Sequence, residues 1–358
     1  MPVDDVTHHL EEAREAFARR DWVRARDGFS VAHERGALTA DDMVAFGDSV
    51  WWLGSFKEAN AFYEEAYRLY LDEARPRQAA MAAVVIAGFL FMRGDAAAGS
   101  GWMSRGLRLL KDEPEGAEHG YVLFMGLESA LGEHDLDGTI DKARQMQKIG
   151  RRFADRSLTA LGVTGEGRAL IKQGRVSDGF ALLDEAMLAA LSEGLDPAWA
   201  GNIYCQVMRV CYELSDLRRA GEWTQATARW CESMPAAGPF MGVCRVHRAQ
   251  VLQAHGAWEQ AEREASRVCE ELADFDVGTV AEGHYQVGEV RRLRGDLHGA
   301  ETAYRRAHDL GRDPQPGLAL LRLAHGRVEA AHASIQAALA AETRDRLARA
   351  RLCAAQVE

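Results

Sequence analysis

Apolar residues recur along this chain at helical spacing. Phe62, Ala66, Leu69 and Tyr70 follow the i, i+4, i+7, i+8 order of a stripe that faces a core. A turn signature interrupts such stripes about every 40 residues. It reads small or polar residue, often Asp or Arg next, then a large apolar residue, then Ala or Gly three places on. The anchors are Arg20, Gly54, Gly94, His134, Gly174, Ser215, Gly256, Gly295 and Gly326, with successive gaps of 34, 40, 40, 40, 41, 41, 39 and 31 residues. This period predicts one helix–turn–helix unit repeated nine times, an all-α array in which helices A and B of each unit pack antiparallel and units stack in series.

The register sorts residues by position. Two places after the anchors stand Trp22, Phe56, Ala96, Leu136, Val176, Leu217, Trp258, Leu297 and Val328. Five places after stand Ala25, Ala59, Gly99, Thr139, Gly179, Ala220, Ala261, Ala300 and Ala331. Seven places before stand Ala13, Gly47, Ala87, Leu127, Gly167, Met208, Ala249, Gly288 and Ala319. Antiparallel helices approach closely only where side chains are small, so one small residue from each helix is expected at the crossing, with the large residue early in helix B filling the space beside it. Leu127 with Thr139, and Met208, break that rule in the fourth and sixth units. Larger side chains there are expected to spread those pairs and widen the groove between them. Gly or a short polar residue at the anchor suits a helix end that turns through positive φ. The Asp that follows it at Asp21, Asp95, Asp135, Asp216 and Asp296 is expected to cap the next helix. Seven of the eight prolines (Pro76, Pro114, Pro197, Pro235, Pro239, Pro314, Pro316) fall between one helix B and the next helix A, where they interrupt no core hydrogen bond.

A small residue, Gly-Asp seven places on, an aromatic or aliphatic residue two beyond, Ala five beyond and Pro at the junction together resemble the tetratricopeptide repeat. The resemblance covers nearly the whole chain. It implies a right-handed superhelical solenoid of about nine tetratricopeptide-like helix pairs plus a C-terminal helix. Units of about 40 residues, against 34 in the common repeat, imply longer helices, as in the sensor regions of large bacterial regulators. Val50-Trp51-Trp52-Leu53-Gly54, Gly242-Val243-Cys244-Arg245-Val246-His247-Arg248-Ala249 and Gly311-Arg312-Asp313-Pro314-Gln315-Pro316-Gly317-Leu318-Ala319-Leu320-Leu321 are similar to the tetratricopeptide sensor segments of actinobacterial LuxR-type (MalT-like) transcriptional regulators. In those proteins the segment usually precedes a DNA-binding helix–turn–helix, often with an ATPase domain before the repeats, and neither is found in these 358 residues. The expected organisation is a repeat array over 1–341, followed by Glu342 to Glu358 as one further helix. Its arginines (Arg344, Arg346, Arg349, Arg351) alternate with Leu and Ala, and it reads as a cap or as the first half of an interrupted unit.

Composition narrows the class. With 47% hydrophobic and 27% charged residues the chain is an ordinary folded protein. The longest apolar stretch, Ala79 to Met92, is too short to span a bilayer. The start, Met1-Pro2-Val3-Asp4-Asp5, lacks the basic and apolar regions of a signal peptide. A cytoplasmic protein without membrane contact is expected. The six cysteines (Cys205, Cys211, Cys231, Cys244, Cys269, Cys353) form no Cys-x-x-Cys pair and read as buried free thiols. A net charge of −11 favours neutral or cationic partners and disfavours direct nucleic-acid binding by this chain.

No phosphate-binding loop, dinucleotide fingerprint, His-Glu-x-x-His or Gly-x-Ser-x-Gly motif occurs. Thr164-Gly165-Glu166-Gly167 is glycine-rich but lies inside a predicted helix A, and Asp135-Leu136-Asp137-Gly138 begins like a calcium loop without its later ligands. No cofactor, metal or catalytic residue is assigned. His247 and His284 fall on helix A of adjacent units, with Glu282 and Glu289 close in sequence; they read as packing histidines, with an acid–base pair as the alternative. The tryptophans are mostly core, with Trp51 expected to face the groove.

In a stack of helix pairs the A helices line the concave surface, where such arrays bind partners. The row six residues before the anchors is polar through five units, Glu128, Arg168, Arg209, Gln250 and Glu289, and rows beside it carry Phe124, Tyr212 and Tyr285. The candidate ligand site therefore comprises Trp51, Phe124, Glu128, Arg168, Arg209, Tyr212, His247, Gln250, Tyr285 and Glu289, with Arg168 and Arg209 forking an acidic group. The reading is a non-enzymatic ligand- or protein-binding sensor module of a LuxR-type regulator, taking a peptide, protein or small-molecule effector, with a homodimer left open. The alternative is a repeat scaffold recruited as an enzyme or biosynthetic accessory protein, with Glu128, Glu289, His247 or His284 as acid–base groups.

Overall fold

The structure is a computed structural model that describes residues 3–192, 194–232 and 240–358. Pro235 and Pro239, and the side chains of Trp230, Cys231 and Cys244, lie outside the described residues. Among the described residues there are nineteen helices and no strand. The A helices are α1 (Val3–Ala18), α3 (Ala40–Trp52), α5 (Pro76–Met92), α7 (Ala117–Gly132), α9 (Arg156–Lys172), α11 (Pro197–Glu213), α13 (Phe240–Ala254), α15 (Val277–Leu293) and α17 (Gly317–Ala324). Their B helices are α2 (Trp22–His33), α4 (Phe56–Asp72), α6 (Ala96–Leu110), α8 (Leu136–Arg152), α10 (Val176–Leu191), α12 (Leu217–Glu232), α14 (Trp258–Glu271), α16 (Leu297–Asp309) and α18 (Val328–Ala341), and α19 (Arg346–Val357) follows. The chain divides into two compact units. One carries α1–α6; the other carries α7 from Leu123 onward, α8–α11 and α14–α19.

The period written in the sequence is a period of helix stops. All nine anchors hold left-handed backbone, with φ between 57° (Ser215) and 89° (Gly174). At each, the next residue's amide donates to the carbonyl five residues back, from Asp21 to Ala16 through Arg327 to Arg322, at 2.8–3.0 Å. This is the double closure that satisfies the last carbonyls of a helix. Arg20, His134 and Ser215 adopt it without glycine, at roughly 1–2 kcal/mol each. The next helix then starts on a cap. Asp21, Asp135, Asp216 and Asp296 accept from the amides of Arg24, Gly138, Arg219 and Gly299 at 2.9–3.3 Å. Asp95 departs from the expectation: it makes no cap bond and pairs with Arg93 at 3.4 Å. A second set of left-handed residues, Gly36, Ala74, Ala154, Gly194 and Gly311, lies in the turns after the B helices, where the sequence had pointed only to prolines.

The crossings are tight where expected. Ala25, Ala59, Thr139, Ala261 and Ala300 are wholly shielded. Leu127 and Met208, the large residues at two crossings, are also fully buried. Leu127 is accommodated by Gly165 of α9, where a Cβ would stand 2.5 Å from its Cδ1. The position two after the anchor behaves differently from the expectation. Trp22 is buried, but Val176, Leu217, Trp258 and Val328 are exposed. These residues open helix B at its rim instead of filling the crossing. Of the cysteines, Cys205 and Cys211 are buried free thiols, Cys269 is half-buried and Cys353 is exposed on α19. No helix among the described residues is long and apolar enough to cross a membrane.

Helix α9 is enclosed most completely, with thirteen of its seventeen residues buried. Three glycines admit three neighbours. A Cβ at Gly162 would meet Ala143 O of α8 at 2.7 Å, one at Gly165 would meet Leu127 of α7, and one at Gly167 would meet Gly179 O of α10 at 2.9 Å. The glycine-rich stretch noted in the sequence is thus a set of helix contacts. Gly179 should tolerate no side chain, because its Cβ would fall 2.5 Å from Ile171 Cγ1 and 2.6 Å from Gly167 O. Gly179→Val is expected to cost about 1–3 kcal/mol, read from urea midpoints. Gly221→Ala, with nothing within 4 Å, is expected to be stabilising by up to about 1 kcal/mol. Equal effects at the two positions would contradict the close approach of α9 and α10.

Candidate functional site

The repeat register carries one face of α7, α9 and α11 into a common cavity of about 760 Å³. Its floor is Glu128 and Leu131 from α7, Arg168, Ile171 and Lys172 from α9, and Arg209, Val210 and Glu213 from α11. Its other wall is Ala341–Asp345, the connection from α18 to α19. This volume lies in the range of small-molecule sites.

Burial decides how the charges are used. The Arg168 side chain is only 9% exposed. Its fork closes on Glu128 at 2.5 and 3.1 Å, as a buried guanidinium requires. The expectation that Arg168 and Arg209 jointly grip an acidic ligand is therefore revised: Arg168 already has its carboxylate. Lys172 donates to Asp345 at 2.5 Å and stands 3.7 Å from Glu213. Arg209 is exposed, lines the cavity, and has no hydrogen-bonded or ion-paired partner among the described residues.

The C-terminal segment is bound by side chains. Arg344 Nη1 donates to the Glu133 carbonyl at the end of α7, at 3.2 Å. Asp345 caps α19 through the amides of Leu347 and Ala348, at 2.9 and 3.2 Å. Burial alone would raise its pKa; Lys172 and the two amides outweigh that and hold the carboxyl below its ordinary value. Arg349 Nη1 donates to the carbonyls of Leu339 and Glu342 at 2.5 and 3.0 Å. Leu352 is buried with Ala319, Ile335, Ala338 and Leu339.

Beyond the cavity lies an aromatic and acidic cluster. The Arg351 guanidinium sits 5.2 Å from the Tyr212 ring centre. Burial works against its charge, and Tyr212, Tyr285, Glu282 and Glu289 more than offset it. Arg312 lies 4.0 Å from the Tyr285 ring centre and donates to Glu282 at 2.6 Å. Glu289 accepts from Tyr304 at 2.5 Å and from Arg292 at 3.1 Å. Burial raises the phenol pKa of Tyr212 and Tyr285 above the ordinary value.

The ten residues singled out in the sequence thus separate into groups. Glu128, Arg168 and Arg209 meet at the cavity, Tyr212 faces Arg351, and Tyr285 and Glu289 are engaged by Arg312, Arg292 and Tyr304. His247 and Gln250 form a buried pair, Nδ1 to Oε1 3.0 Å. The histidine's neighbour is an amide instead of the carboxylate an acid–base pair requires, and its Nε2 is buried without a hydrogen-bond partner among the described residues. Burial, with help from Arg209, drives its pKa down to about 4 despite Gln250. Phe124 is packed edge-to-face on Trp199 at 5.5 Å. Trp51, expected to face the groove, is 9% exposed and packed against Trp52 and Phe89 in the first unit. Neither lines the cavity. Lys172 and Glu213 were missed, although Lys172 stands one helical turn after Arg168 on the same face. Asp345 gave no local signal, and Arg344 stood out only as one of a series of arginines.

The fold is found in solved proteins. The structure of NprR in complex with its cognate peptide NprX matches with a TM-score of 0.54 at 15% identity, over 77% of this chain and 81% of that one. The apo form of the quorum sensor NprR from B. thuringiensis matches with a TM-score of 0.50 at 15% identity, over 77% and 79%. At such identity the likeness establishes the helical-repeat fold. No protein-family model matches the chain, and no curated relative matches it.

His247 gives the site a pH signature. Its folded pKa of about 4 lies below the ordinary 6.5, so folding favours the neutral ring. The stability it permits is intact above the unfolded pKa and is lost as pH falls from 6.5 towards 4. Between pH 7 and pH 5 the protein is expected to lose about 2 kcal/mol more than a His247→Gln variant. Urea midpoints at the two pH values measure this, and parallel losses would contradict a buried neutral imidazole.

Proposed function

We propose that this chain is a non-enzymatic, ligand-binding repeat module. Its effector is a peptide or small molecule with an acidic group, which enters the cavity between α7, α9, α11 and residues 341–345. The observation that carries this reading is Arg209, a guanidinium on a concave wall without a protein partner among the described residues. Arginine is suited to bidentate recognition of carboxylate or phosphate. The fold shared with NprR, whose solved complex contains its cognate peptide NprX, supports a peptide as one ligand class. The sequence similarity to LuxR-type sensor segments supports a regulatory setting. There, residues 1–341 sense, residues 342–358 close the array, and occupancy is relayed to a DNA-binding domain. The acid–base alternative is not favoured, because His247 faces Gln250 and Glu289 is engaged by Tyr304 and Arg292.

A thermal-shift screen of acidic peptides and small di- and tricarboxylates tests this, since a ligand that binds only the folded state raises Tm. Ligands that stabilise the wild type are expected to bind Arg209→Ala at least about tenfold more weakly, a loss of about 1.4 kcal/mol. Arg209 is exposed, so the ligand-free Tm should hardly move. No ligand should be consumed. Unchanged affinity in Arg209→Ala would overturn the assignment of the cavity.

A further inference from the structure

The groove and the C-terminal segment are complementary in a way that ordinary stacking of helix pairs does not require. Lys172 on α9 meets Asp345 at 2.5 Å, the first residue of the α19 turn. Six residues later Arg351 faces Tyr212 on α11, with Tyr285, Glu282 and Glu289 of α15 acting on its charge. The Tyr212 ring face attracts the guanidinium, and Glu282 and Glu289, themselves paired with Arg312 and Arg292, add favourable charge at longer range. The seat is built by α11 and α15, and Lys172 by α9, all elements of the repeat. Only one residue of α19, Leu352, is buried. The helix rests on α18 through Leu352 and Ala355, and it and the turn before it meet the groove through polar and charged contacts.

We propose that this strip of groove is a receptor for a short helical peptide carrying an acidic residue at its N-terminal cap and an arginine six residues later, and that residues 342–358 are its built-in occupant, displaced when such a peptide binds. The proposal rests on the groove being a ligand surface and names the class of ligand for the strip beside the Arg209 cavity. A tethered segment acts at an effective concentration in the millimolar range, so the resident helix sets a threshold that an incoming peptide must exceed. Displacement also removes the 341–345 wall from the cavity beside Arg209, so the two sites are coupled through one segment.

A fluorescent peptide with the sequence of residues 342–358, titrated into the 358-residue chain, tests this. The wild type is expected to bind it at least about tenfold more weakly than the variant Asp345→Ala/Arg351→Ala of the same chain, whose own segment holds less well. Adding Lys172→Glu to that variant is expected to abolish binding of the native peptide. A peptide carrying Asp345→Lys should restore it, a rescue that a purely structural lysine would not give. Hydrogen exchange of residues 346–357 in the wild type should quicken at saturating peptide, a reading that does not depend on any variant folding. Equal affinity of the wild type and the double variant, or unchanged exchange, would mean that α19 is a fixed cap and would overturn the proposal. Arg209 is not among the groups that the peptide touches in this arrangement. Failure here with a retained Arg209→Ala effect would sink the exchange alone, and the reverse pattern would sink the cavity assignment alone.

Discussion

The enclosure of α9 is the constraint on which the candidate site depends. Gly162, Gly165 and Gly167 let α8, α7 and α10 approach its backbone. Each interior glycine costs a helix about 0.5–1 kcal/mol relative to alanine, and three-sided packing offsets that cost. A helix held on three sides has little freedom to rotate, so its end is aimed. Arg168 and Lys172 project from its last two turns. Because Arg168 is buried it must be paired, and Glu128 is the residue that the stack places opposite it, one repeat earlier. Lys172, one turn further, reaches Asp345 in the segment that returns from the end of the chain. The packing of one helix therefore determines which cations are neutralised. Arg209, on the next A helix and exposed, is left available.

Much of the fold was legible because it is periodic. Nine anchors separated by similar intervals are nine helix stops, and all nine hold the left-handed conformation that the sequence rule requires. Small residues at the crossings are equally local in origin, since a side chain either permits a close approach or prevents it. The errors arose where local pattern and tertiary context diverge. Val176, Leu217, Trp258 and Val328 are apolar at a fixed register but stand at the rim, exposed. Trp51 occupies a groove-facing register, yet Trp52 and Phe89 pack around it.

The site was half legible for the same reason. The polar row through Glu128, Arg168 and Arg209 follows from register alone, and it does line a cavity. Register cannot say whether a charge in that row is already paired. That depends on the reach of a side chain one repeat away, as for Arg168 and Glu128, 40 residues apart. Still less can it show the other wall. The bond from Lys172 to Asp345 spans 173 residues, and that from Arg344 to the Glu133 carbonyl spans 211. Contacts of this separation leave no mark in any window of sequence.

The arginines near the chain end show how composition misleads without geometry. Four of them in eight residues look like a basic stripe. In the fold Arg344 and Arg349 donate to carbonyls at the ends of α7 and α18, where the helix dipole leaves partial negative charge. Arg346 Nη1 lies beside Gly174, at the stop of α9, and Arg351 faces Tyr212. A repeat that ends its A helices on successive turns creates a series of such carbonyl-rich stops, and a short arginine-bearing segment is a natural complement to them. The basic character of the segment is thus largely used within the chain. Against a net charge of −11, which disfavours acidic partners elsewhere on the surface, the groove with its own exposed cation at Arg209 is where an acidic partner has an unanswered charge to meet.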